Sequence, residues 1–111
     1  MPVREEFITF VIDQLADWSP ITVRRMFGGA GLFREGRMFG LLANDAAYLK
    51  ADDENRPDFE NVGMGPFRPF EGKKKAMTMP YYEIPADVLE DPDRLAIWAD
   101  KAYAAALRGR K

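Results

Sequence analysis

Thr22-Val23-Arg24-Arg25-Met26-Phe27, Ala30-Gly31-Leu32-Phe33-Arg34, Arg37-Met38-Phe39-Gly40-Leu41-Leu42-Ala43 and Ala46-Ala47-Tyr48-Leu49-Lys50 are successive short runs separated by two-residue breaks. The first sets Val23, Arg25 and Phe27 against Thr22, Arg24 and Met26, the alternation of a strand with one half-buried face. Glu35-Gly36 reads as a tight turn in which Gly supplies a positive φ. Asn44-Asp45 reads as another, because Asn tolerates the left-handed region. Breaks of this length cannot hold the crossover that parallel strands need, so residues 22–50 predict an antiparallel meander.

The flanks have a different period. Upstream, Phe7, Ile8, Val11, Ile12 and Leu15 recur at three- and four-residue steps and predict a helix from about Val3 to Ala16. Glu5 and Glu6 sit in its first turn, where negative charge suits the helix dipole, and Ser19-Pro20 stops it. Downstream, Pro57 to Val62 predicts a short helix ending at Gly63. Met64 to Gly72 reads as a loop. Lys75 to Met79 and Tyr81 to Ile84 read as short strands interrupted by Pro80, which implies an edge or a bulge. Pro85 to Glu90 predicts one helical turn. Asp91-Pro92 then opens a last helix that carries Leu95, Trp98, Ala99, Ala102 and Ala106 on one face and ends at Gly109. Helices segregate from strands, so the expected class is α+β, an antiparallel meander flanked by N- and C-terminal helices.

The 111 residues allow one domain, expected over residues 1–111. An apolar fraction of 47% against 31% charged is globular composition and excludes a disordered chain. Cys and His are both absent. That removes disulfides, thiolate nucleophiles, imidazole bases and zinc sites built on nitrogen or sulfur. No catalytic residue, cofactor or metal is expected. No apolar core of a signal peptide follows Met1, and no uncharged stretch approaches a membrane span, so the expectation is a cytoplasmic protein with no membrane partner.

Familiar loop motifs fail on spacing. Gly28-Gly29-Ala30-Gly31 lacks the later Gly of a dinucleotide fingerprint, since that position is Arg34, and a strand follows where a helix should open. Gly72-Lys73-Lys74 lacks both the upstream Gly and the Ser or Thr of a phosphate loop. Asp52, Asp53 and Glu54 do not keep the alternation of a calcium loop, and capping of the next helix by Asp52 or Asp53 explains them.

Charge is segregated along the chain although the net value is only −2. Residues 51–65 carry five acids and one base, residues 66–79 one acid and four bases, residues 80–100 six acids and one base, and residues 101–111 four bases and no acid. Residues 66–79, with Lys73, Lys74 and Lys75, and residues 101–111, with Arg108, Arg110 and Lys111, form two basic patches, and Arg24 and Arg25 join them as candidate nucleic-acid contacts. Phe27, Phe33, Phe39, Tyr48, Phe67, Phe70, Tyr81 and Tyr82 all fall in or near the strands. Strands such as Arg37 to Ala43 are apolar on both faces, more than two helices can cover. The surplus predicts an interface or groove.

Arg24-Arg25-Met26-Phe27-Gly28-Gly29-Ala30-Gly31-Leu32-Phe33 is followed by Gly36-Arg37-Met38-Phe39-Gly40-Leu41, Tyr48-Leu49-Lys50 and Asn55-Arg56-Pro57-Asp58-Phe59. Then come Gly65-Pro66-Phe67, Met77-Thr78-Met79-Pro80-Tyr81-Tyr82 and Pro85 to Trp98. In this order the motifs resemble the TfoX/Sxy N-terminal domain family, over about Phe7 to Ala106. The resemblance implies a two-layer fold like that of secretion chaperones. It also implies a non-enzymatic regulatory protein-interaction module, since the namesakes regulate natural competence in bacteria and act on transcription with the cyclic-AMP receptor protein. The namesakes carry a further helical C-terminal domain. The family offers no catalytic residue to transfer.

Two functions follow as expectations. One is a module that contacts a protein partner, a transcription factor or RNA polymerase. The other is a weak nucleic-acid-binding module that uses the basic patches, limited by the acidic overall balance. The candidate contact residues are Arg24, Arg25, Phe39, Tyr48, Lys50, Arg56, Lys73, Lys74, Lys75, Tyr81 and Tyr82. A homodimer through the sheet is a further expectation, because a meander leaves edges and an apolar surplus.

Overall fold

The computed structural model describes residues 3–26, 28–67 and 79–109. Its elements in chain order are α1 (Glu5–Leu15), β1 (Thr22–Met26), β2 (Gly29–Arg34), β3 (Arg37–Ala43), β4 (Ala46–Lys50), α2 (Arg56–Glu60), β5 (Pro66–Phe67), β6 (Met79–Glu83), α3 (Ala86–Leu89) and α4 (Pro92–Arg108). The strands form one sheet in the order β1-β2-β3-β4-β6-β5, and every pairing is antiparallel. The α+β meander flanked by terminal helices is therefore the architecture of the chain.

Both central turns have the backbone their residues suggest. Glu35 and Gly36 have φ of 50° and 80°, and Asn44 and Asp45 have φ of 54° and 57°. Such turns match the right-handed twist of the strands they join. Asp45 also ties the turn to α1. Its carboxylate accepts from the Arg4 backbone N–H and from Arg4 Nε, both at 3.0 Å.

α1 and α4 pack on one face of the sheet. Ile8, Val11 and Leu15 from α1 meet Leu95, Ala99 and Ala102 from α4 and Ala30, Leu32, Phe39, Leu42, Ala47 and Leu49 from the strands. The alanines of α4 let its backbone lie close to β3 and β4. Asp91 caps α4 by accepting from the N–H groups of Asp93 (3.1 Å) and Arg94 (3.4 Å).

A bulge decides the phase of β3. Leu32 pairs with Gly40 but Phe33 pairs with Met38, which leaves Phe39 as the extra residue. The bulge turns Phe39 into the helix-side core, fully buried, while Met38 shares the outer face with Leu41 and Ala43. The apolar residues on both sides of β3 thus form two clusters. The second comprises Leu41, Ala43, Phe67 and Tyr81 on the outer face, with Met38 and Tyr48 against it. Phe67 comes from the stretch expected to be loop, where β5 pairs with β6. Part of the apolar surplus is therefore filled from within the chain. Edge strand β1 carries Arg24 and Arg25, and charge on an edge opposes pairing with a second copy.

Other local expectations are corrected. β6 runs unbroken through Pro80. Pro66 pairs with Tyr82 and Phe67 with Met79, so Pro80 lies in a bulge, as its presence implied, and its carbonyl accepts from Ala51 N–H at 2.9 Å. The rest of the Lys75 to Met79 strand expectation lies outside the described residues, as does Phe27 at the end of the first run. Neither Asp52 nor Asp53 caps α2. Its first flanking residue is Asn55, 3% exposed, which accepts from Asp52 N–H at 2.7 Å and donates to the Lys50 carbonyl at 2.9 Å. A buried amide with both ends satisfied thus closes the β4–α2 loop.

Candidate interaction site

Register sorts the candidate residues by face. Arg24 lies opposite Gly31 and Lys50 opposite Tyr81, so Arg24, Phe33, Met38, Tyr48, Lys50 and Tyr81 share the outer face. The Arg24 guanidinium stands 5.5 Å from the centre of the Phe33 ring, and Lys50 Nζ stands 5.4 Å from that of Tyr81. The Tyr48 and Phe67 rings meet edge-on at 5.0 Å. Burial pushes the Tyr81 phenol above its ordinary pKa. Three strand spacings separate β1 from β4, roughly 14 Å, so the two cations mark opposite parts of one face. Glu83, opposite Tyr48, is the carboxylate that register places on that face among the described strands.

The remaining candidates do other work. Arg25 points to the helix side, pairs with Glu5 and donates to the Val3 carbonyl at 3.5 Å. It fastens the start of α1 to β1. Phe39 is a core residue whose ring meets Trp18 at 5.2 Å. Tyr82 faces the helices and lies 5.6 Å from Phe59. Arg56 pairs within its own turn with Asp53 and with Glu60 at 3.8 Å. Its guanidinium pKa is raised, chiefly by the hydrogen bond to Asp53. Lys73, Lys74 and Lys75 lie outside the described residues.

One constellation was not foreseen. Arg34, at the end of β2, turns to the helix side. Its guanidinium stands 4.7 Å from the centres of both the Trp18 and the Tyr103 rings. Those rings meet at 6.5 Å and 74°, so they form a corner that holds the guanidinium. The only sequence signal is Arg34 facing Arg37 across the Glu35-Gly36 turn, a like-charge pair where an opposite pair would stabilise.

Charge follows the layers. Among the described residues Arg4, Arg25, Arg56, Arg94, Lys101 and Arg108 are in ion pairs, whereas Arg24, Arg34, Arg37 and Lys50, all on the sheet, are not. Carboxylates without an ion-pair partner include Glu6 and Asp13 on α1, Asp17 just after it, and Asp93 and Asp100 on α4. No group of three or more Asp or Glu among the described residues is placed to hold a metal. No described helix is long and apolar enough to cross a membrane.

An uncharacterised 12.7 kDa protein in the trpE 5′ region of Spirochaeta aurantia is 31% identical over 94 residues, which cover 85% of this chain and 75% of that protein. Residues 13–106 match the TfoX N-terminal domain, a span that runs from within α1 through nearly all of α4 and so takes in the whole sheet. The chain belongs to the TfoX N-terminal domain family.

Proposed function

We propose that this domain is a regulatory protein-interaction module of the cytoplasm, related to the control of competence, and that the outer face of its sheet docks an acidic segment of a transcription factor or of RNA polymerase. Family membership supports the regulatory part of the reading. The observation that carries the rest is the placement of the cations. Arg24 and Lys50 rest on aromatic rings of that face and not on carboxylates, so an incoming carboxylate displaces no internal salt bridge. The ring beneath each cation limits its mobility and lowers the entropy lost on docking. The acidic outer surfaces of α1 and α4 oppose a phosphate backbone and steer an acidic partner toward the sheet.

The test is site-specific photo-cross-linking in the cell that makes the protein. A photoreactive residue replaces Thr22, which is on the outer face of β1, or Asp93 on α4 as the control. A protein adduct from position 22, absent from position 93 and lost on joint Arg24→Glu and Lys50→Glu change, is expected. A nucleic-acid adduct, or a protein adduct that survives charge reversal, overturns the reading.

A further inference from the structure

We propose that Arg34 and Arg37 form a binding site for a single carboxylate of a peptide, at the end of the β2–β3 hairpin and on the helix side of the sheet. The site is independent of the outer-face reading above. Arg34 and Arg37 are directly opposed in register, so both side chains leave the same face with Cβ atoms roughly 5 Å apart. No carboxylate among the described residues pairs with either. Arg34 Nε is buried and has no hydrogen-bond partner. A buried donor left unmade is costly, and two like charges opposed across a strand pair add to the cost. An oxyanion held between the two guanidinium ends relieves the like-charge repulsion.

The geometry favours a carboxylate. The Trp18 and Tyr103 rings hold the guanidinium plane in place, which fixes in advance the fork that meets a carboxylate with two parallel hydrogen bonds. Two cations form an isolated spot, not the track of cations that a phosphate backbone follows. Asp17 precedes Trp18, Glu35 lies in the turn itself and Asp100 lies one helical turn before Tyr103. These three acids offset the charge of the two cations, which admits one carboxylate among apolar contacts and disfavours a polyanion.

The decisive measurement is an NMR titration of the whole chain that follows the Arg34 Nε–H and Trp18 indole resonances. The probes are a capped peptide with one Glu among apolar residues, sodium succinate and inorganic phosphate. The peptide is expected to shift both resonances to saturation and to bind more tightly than succinate or phosphate. Arg37→Gln, at a position outside the core, is expected to weaken the peptide by roughly tenfold or more while the melting temperature holds. Arg34→Lys, which keeps the charge and loses the fork, is expected to weaken it similarly. No saturable shift, an undiminished affinity in Arg37→Gln, or tighter binding of phosphate overturns the proposal. Succinate that binds as tightly as the peptide overturns the peptide as the source of the carboxylate.

Discussion

Asp52→Asn isolates the charge in the clasp that closes the C-terminal end of α4 onto the β4–α2 loop. Arg108 donates to both Asp52 oxygens, from Nε at 2.6 Å and from Nη2 at 2.9 Å. The hydrogen bond from Arg108 is the largest influence on the Asp52 carboxyl. Burial opposes it, the Glu54 N–H assists, and the pKa falls from 3.8 to about 2. A shift of that size corresponds to about 2.4 kcal/mol at about 1.4 kcal/mol per unit. The Asp52 side chain is 28% exposed and that of Arg108 38%, so solvent screening reduces the contribution to about 1 kcal/mol. For a domain of this size that is a melting shift of about 4 °C. The amide keeps the shape and can still accept from Glu54 N–H, so the loss is that of charge. Because the folded carboxyl is the stronger acid, the contribution is complete above the unfolded pKa and disappears as pH falls through the folded one. Urea midpoints of the two proteins should differ at pH 7, begin to converge near pH 4 and nearly coincide at pH 2. A gap unchanged at pH 2 would assign the loss to packing, and no gap at pH 7 would show that the ion pair contributes nothing.

Gly29→Ala should destabilise the fold by about 1–3 kcal/mol, because its new Cβ would fall well inside contact distance of the Leu42 carbonyl oxygen; an unchanged urea midpoint would contradict that packing. Phe59 is 1% exposed and meets the half-buried Trp98 edge-on at 4.9 Å, so Phe59→Ala should cost about 3–5 kcal/mol by urea unfolding. Tyr81 is held neutral by burial, so its contribution to stability holds below the unfolded pKa of about 10 and is lost as pH rises beyond it. Tyr81→Phe should flatten that alkaline loss in melts between pH 9 and 11. Duplex DNA should bind weakly and without sequence preference to a chain of net charge −2; tight sequence-specific binding in a salt titration would revive the nucleic-acid reading.

Turns and periods were readable because they are local. Asn44-Asp45 and Glu35-Gly36 dictate their own φ values, and short runs with two-residue breaks through Thr22 to Lys50 leave room for nothing but short antiparallel strands. The Asp91-Pro92 cap is equally local. The β3 bulge was not readable. Arg37 to Ala43 is apolar at nearly every position, so nothing in the sequence says that Phe39 turns inward while Met38 turns out. β5 was hidden for a similar reason. A two-residue strand has no period, and Phe67 joins the sheet only because β6 is already there to receive it.

The candidate site divides along the same line. Arg24, Tyr48, Lys50 and Tyr81 come to one face because strand parity is a property of sequence once the register is set. Arg25, Phe39, Arg56 and Tyr82 looked equivalent to them by residue type, and only their neighbours in space assign them to an ion pair, the core, a helical turn and the Phe59 cluster. Trp18, Arg34 and Tyr103 lie in the α1–β1 connection, in β2 and in α4. Their meeting depends on how the helices cross the sheet, which no run of residues encodes locally. The sequence by itself determined the helices, the four-strand antiparallel meander and the absence of His and Cys chemistry. The tertiary structure decided which cations are neutralised within the fold and which remain available, because ion pairing is set by distance in space while composition records only the total.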